Sequence, residues 1–169
     1  MHVDSRALVL AALLAAPGCG PASHFQPPDD GDRLGVWAPD PGSTLLQTAQ
    51  SSLTDPTLAV VSDTSTWRPL WTRAWPGPQA APQLPTIDFV LTSVVVVGLG
   101  TRAGLGYTVT IDSIVTRTAG ATLFATESKP GSHCDTGTGI SSPVHMVHAP
   151  GHPPVIAWDV RTISVDCIP

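Results

Sequence analysis

Charged residues are scarce in this chain. They make up 12% of its 169 residues, with a single lysine, Lys129, and a single glutamate, Glu127, whereas globular proteins average about 25%. The net charge is −5. Because phosphate contacts need clustered arginine and lysine, this composition argues against nucleic-acid binding. Glutamate, lysine and glutamine are also too few to cover the solvent faces of a long helical bundle.

Long apolar runs are lacking too, except one at the N-terminus. Arg6 precedes an apolar stretch, 7–16, that fits the core of an export signal and is too short to cross a bilayer as a helix. Small residues lead to Cys19, as in a bacterial lipobox, which predicts a lipoprotein signal at 1–18 and a lipid on Cys19. The alternative is ordinary cleavage, for instance after Ala22. The valine run that follows residue 93 is too short for a membrane span.

Cysteine is rare and its count, three, is odd. If Cys19 carries lipid, Cys134 and Cys167 remain, and in an oxidising compartment such a pair is predicted to form a disulfide. Two free thiols are the alternative. The count therefore favours a protein of the bacterial cell envelope, held in the membrane by its lipid and facing the periplasm or the surface; failing lipidation, it would be secreted.

Glycine and proline are abundant, with 15 and 18 residues. Residues 19–43, rich in proline and aspartate, are predicted to form a disordered tether. Trp37 is the exception within it and could dock on the domain. Residues 44–169 form the single predicted domain, and the sequence leaves open whether 44–56 contains a strand. Six further strands are expected, at about 57–61, 93–98, 107–112, 121–126, 144–148 and 155–165.

Short strands separated by turns predict a mainly β fold. We expect an antiparallel sheet, sandwich-like or as a partly open barrel, with one short helix. The helix is expected to start near Thr66, capped by Asp63 or Thr66, because proline at position 69 fits only the first turn. Trp67 and Trp71 would then share one face.

Two patterns suggest chemistry, and each has a simpler interpretation. The segment from Gly98 to Ala103 fits a dinucleotide fingerprint, but such a site needs a helix after it, whereas here β-type sequence follows; a hairpin loop with positive-φ glycines is favoured. His145 and His148 suggest zinc with His152, His133 and Asp135 nearby, but their odd spacing places them on opposite strand faces. No cofactor, metal or catalytic residue is predicted.

A series of short motifs in fixed order resembles one protein family. The motifs are Trp67-x-x-Leu70-Trp71, Ile87-Asp88-Phe89, Val94-Val95-Val96-Val97, Gly98-x-Gly100, Gly106-Tyr107-Thr108-Val109, Ser128-Lys129-Pro130-Gly131 and Ser142-Pro143-Val144-His145. They resemble the PrcB C-terminal domain family over roughly residues 57–150. Two positions depart from that pattern: Leu105 stands where glycine is usual, and Val144 where tyrosine is common.

The resemblance implies an envelope protein that is not an enzyme and binds another protein. The family is named for a lipoprotein that associates with and stabilises an extracellular serine protease complex, so a protease is one expected partner class. We predict that the contact loop contains Gly100, Arg102, Leu105, Gly106 and Tyr107. Tyr107 packed as an ordinary strand residue is the alternative. A secreted β-sandwich protease inhibitor and a metal-dependent hydrolase are the competing functions.

Overall fold

The computed structural model describes residues 33–75 and 81–167. The signal at 1–18, the Cys19 lipid site and the tether as far as residue 32 lie outside these residues. Within the described ranges the chain forms ten strands and one helix. Their bounds are β1 Arg33–Trp37, β2 Thr44–Thr48, β3 Pro56–Val61, α1 Thr64–Ala74, β4 Thr92–Leu99, β5 Arg102–Ala103, β6 Thr108–Arg117, β7 Gly120–Pro130, β8 Ile140–Ser141, β9 Val144–Pro150 and β10 Val155–Val165.

Two four-stranded sheets form a sandwich. The outer sheet has the order β1-β6-β7-β10, and the middle sheet has the order β2-β9-β4-β3. Neighbouring strands are antiparallel except for β10, which runs parallel to β7. The prediction of a mainly β fold is confirmed. Of the two predicted forms, the sandwich describes these sheets, because their described strands do not close into a barrel.

The middle sheet is covered on both faces. Val95 and Val97 of β4 pack toward the outer sheet, while Val94 and Val96 pack toward α1. All four valines are fully buried, as expected for a strand enclosed between two layers. The order of layers is therefore helix, middle sheet and outer sheet.

Helix α1 begins earlier than the sequence predicted. Asp63 is the N-cap and accepts a hydrogen bond from the Thr66 amide at 2.8 Å, so the helix starts at Thr64 rather than near Thr66. Pro69 consequently lies beyond the first turn, on the exposed side of the helix. Trp67 and Trp71 are buried against the middle sheet as predicted, and their indoles donate to the Pro85 and Pro82 carbonyls.

The prediction of a tether reaching residue 43 needs correction. Residues Arg33–Trp37 form β1, which pairs with β6, and Trp37 packs against the core between the sheets. The docking surface for Trp37 lies about eighty residues further along the chain, which is why local composition alone predicted a tether. Residues 44–56, where the sequence left a strand open, do contain one: β2, which pairs with β9. No helix in the described residues is long and apolar enough to span a membrane.

Candidate functional site

The predicted contact loop lies at one end of the sandwich, between the end of β4 and the start of β6. Its glycines at 100, 104 and 106 all have positive φ, as predicted. The loop is not a hairpin, however, because β4 and β6 lie in different sheets and the loop crosses from the middle sheet to the outer sheet. At Gly100 (φ 71°) a Cβ would lie 2.8 Å from the Pro56 ring and 2.9 Å from the Thr54 carbonyl oxygen. A side chain there would therefore be excluded both by conformation and by space.

A second loop, after β7, supports the first. The Gly104 amide donates to the Gly139 carbonyl at 2.9 Å, and the Leu105 amide donates to the Thr136 carbonyl at 3.1 Å. The short strands β5 and β8 pair beside these bonds. We refer to residues 100–107 and 131–141 together as the platform. Because its two loops bond to each other, the platform is a defined surface rather than two separate loops.

The predicted disulfide anchors the second loop. Cys134 and Cys167 are bonded, so the alternative of two free thiols does not apply. Cys167 follows β10, and the bond therefore joins the platform to the last strand of the outer sheet. A shallow groove of about 450 Å³ runs along the disulfide and is lined by Leu105, Pro130 and Thr136.

Arg102 points into the molecule rather than away from it. Its Nε donates to a Glu127 carboxylate oxygen at 2.7 Å, and its Nη1 donates to the Leu99 carbonyl at 2.8 Å. Glu127 is buried and also accepts from the Thr162 hydroxyl at 3.3 Å. Because β5, β7 and β10 meet at this carboxylate, Arg102 holds the loop in shape, and its substitution would disturb folding as well as contact.

The platform exposes two large apolar side chains. Leu105 is 41% exposed and lies over Gly139, and Ile140 next to it is 62% exposed. Ala103 pairs with Ile140 and is also exposed. Tyr107, in contrast, is half-buried and precedes β6 instead of lying within it. Leu105 and Ile140 are thus the large side chains that this end presents to a partner.

Sequence reasoning missed Ile140 and Glu127. Ile140 stands as a lone large apolar residue among glycine and threonine in 136–140, and that isolation was a usable signal. Glu127 stood out as the single glutamate, but nothing local indicated its role, because its partners Arg102 and Thr162 are far away along the chain. The pairing depends on the arrangement of strands.

The histidines are dispersed as their spacing predicts. His145 is buried between the sheets, where its Nδ1 accepts the Ile111 amide at 2.8 Å and its Nε2 lies 3.2 Å from the Thr44 hydroxyl. Burial lowers the pKa of His145 to about 4, so the imidazole is neutral. His148 points to the other face of β9, near the Gly42 carbonyl. In the described ranges no three His, Cys, Asp or Glu side chains are grouped to hold a metal.

The platform and the N-terminal entry lie at opposite ends of the sandwich. β6 starts beside the platform at Thr108 and ends at Arg117, which pairs with Arg33 at the start of β1. Ten strand residues span about 30 Å. Whatever precedes residue 33 therefore enters at the far end from Leu105 and Ile140.

Comparison with known proteins supports one resemblance. The family model described as PrcB C-terminal matches residues 93–150, which is about a third of the chain and covers β4 to β9. The match confirms the predicted resemblance over that segment, and residues 57–92 of the resemblance remain a prediction. No curated protein and no solved structure matches the chain.

Proposed function

We propose that this chain, with its PrcB C-terminal-like segment from β4 to β9, is an exported protein-binding domain without catalytic activity. The observation that carries the proposal is the exposed apolar pair Leu105 and Ile140 on a hydrogen-bonded, disulfide-anchored platform. Exposed apolar groups on a fixed support favour association, because little conformational entropy is lost when a partner covers them.

The predicted lipid on Cys19 fits this arrangement. Arg33 follows Cys19 by fourteen positions, and a chain of that length extends at most about 45–50 Å. The chain enters at the end opposite the platform, so a lipid anchor would not be attached beside Leu105 and Ile140, and the platform would stay accessible. A partner in the periplasm or outside the cell could then reach the platform. The resemblance makes an exported serine protease the first partner class to test.

The direct test compares two double variants, each of which replaces two exposed apolar residues by aspartate. Leu105→Asp/Ile140→Asp places two carboxylates on the platform, and Val90→Asp/Leu91→Asp places two at the opposite end, where Val90 and Leu91 are also exposed. Full-length wild-type and variant proteins are used to capture partners from an envelope extract, and affinity for each identified partner is then measured. We expect the platform variant to bind at least about tenfold more weakly, as for interface anchor residues.

The control variant should bind like the wild type, and both variants should keep its circular dichroism spectrum. Equal binding by all three proteins would show that the platform is not the contact surface. If the partner is a protease, its activity distinguishes two roles: a longer-lived active protease indicates stabilisation, and a blocked active site indicates the inhibitor function.

A further inference from the structure

Strand β10 forms one edge of the outer sheet. It pairs with β7 on one side, and no strand among the described residues pairs with its other side. β10 has eleven residues, and Ile156, Trp158 and Val165 are exposed. A long edge strand with apolar side chains offers unpaired N–H and C=O groups, and proteins ordinarily cover or interrupt such edges.

The charges of β10 are arranged for pairing with a second β10. Asp159 and Arg161 are its only charged residues, and they flank Val160, which is the sixth of the eleven residues. In an antiparallel pair centred on Val160, each Asp159 lies directly opposite Arg161 of the other copy. The same register overlaps the two strands over their full length. The register that overlaps the two strands fully is therefore also the one that places opposite charges opposite each other, and it places no like charges opposite each other.

The faces of the strand agree with this register. Asp159 is paired with Phe124 and Arg161 with Thr126, so both side chains lie on the outer face of the sheet, where Arg161 donates to the Thr126 hydroxyl at 2.8 Å. Trp158 lies on the opposite face, toward the middle sheet. In the centred pair, Trp158 lies opposite Thr162 and diagonal to Val160 of the second copy, within reach of an aromatic ring.

We propose that two copies of this chain associate through β10, as an antiparallel, two-fold symmetric pair centred on Val160, giving a continuous eight-stranded outer sheet. In such an interface both copies use the same patch, so the assembly is complete with two copies. Each β10 edge is covered by the other, and no further copy can add to it. The platform lies at the Val165 end of β10, outside the centre of this interface, and the dimer is independent of the function proposed above.

Two charge-reversal variants test this interface. In its own dimer, Asp159→Arg places the introduced arginine opposite Arg161 of the other copy. Arg161→Asp likewise places the introduced aspartate opposite Asp159. Each variant should self-associate at least about tenfold more weakly than the wild type, because both symmetric pairs become repulsive. An equimolar mixture of the two variants should form a heterodimer, since each pair then joins an arginine to an aspartate.

Dissociation constants are measured by sedimentation of the full chain carrying Cys19→Ser, which removes the predicted lipid site and the need for detergent, from about 1 to about 100 µM. A wild-type dimer, weakened single variants and a restored heterodimer support the proposal. A monomeric wild type overturns it, as does a dimer that neither variant weakens. Weakened single variants that fail to associate when mixed also overturn it, provided that each retains the wild-type spectrum.

Discussion

At the scale of single residues, His145 joins the two sheets. Its ring nitrogen accepts the amide of Ile111, next to an irregularity in the β6–β7 register that falls between Ile111 and Ser113. The acceptor role requires the ring to be neutral at Nδ1. The sheet-to-sheet bond is therefore sensitive to protonation.

We expect acid to weaken the fold through His145. Its folded pKa, about 4, is below the ordinary 6.5 because burial disfavours the charged ring. Below pH 6.5 the unfolded chain binds a proton that the folded chain does not. The contribution to stability is therefore complete above about pH 6.5 and decreases as pH falls to about 4, by up to about 3 kcal/mol.

Urea unfolding at several pH values between about 7 and about 4.5 measures this effect. His145→Gln keeps an amide oxygen as acceptor and should flatten the pH dependence, whereas His133→Gln, at an exposed histidine, should leave it unchanged. If His145→Gln and the wild type lose stability in parallel, the linkage to His145 is wrong.

At the scale of elements, sequence patterns predicted those strands and buried residues that depend only on nearby positions in the chain. The alternation over 107–112 and the valine run of β4 predicted their strands, because side-chain periodicity is a local property. Both predicted tryptophans of α1 are buried for the same reason. β1 and the Arg102–Glu127 pair were not predictable, because each depends on which distant strands become neighbours.

In the platform, too, the features set by nearby residues were predicted, and those set by the pairing of distant strands were not. The glycines marked a loop, and three of them do adopt positive φ. Its support by Thr136 and Gly139, and the exposure of Ile140, follow from the pairing of β5 with β8. That pairing involves two residues on each side, too few to produce a recognisable pattern.

The disulfide is expected to stabilise the elements that it joins. It closes a loop between residues 33 positions apart, and loop-closure entropy predicts about 3–4 kcal/mol. Addition of reductant should lower the melting temperature of the wild type. Cys134→Ser/Cys167→Ser should melt at the reduced temperature with or without reductant. A wild type whose melting temperature is unchanged by full reduction, verified by thiol alkylation, would contradict the expectation.

At the scale of the whole molecule, the predicted lipid on Cys19 would hold the protein at the membrane. Cells labelled with a fatty-acid analogue should yield labelled wild-type protein in the membrane fraction. Cys19→Ser should lose both the label and the membrane association, while Cys134→Ser/Cys167→Ser should keep the label. An unlabelled wild-type protein whose mature N-terminus is Ser23 would show that ordinary cleavage after Ala22 is correct.

The disulfide also determines what a protease can do to this chain. The exposed turn at Gly151 and His152 lies between β9 and β10, inside the segment closed by Cys134 and Cys167. A cut anywhere between the two cysteines opens the backbone but leaves both pieces in one covalent molecule. β10 and the platform would therefore remain together after such a nick, and the two fragments would separate on a gel only under reducing conditions.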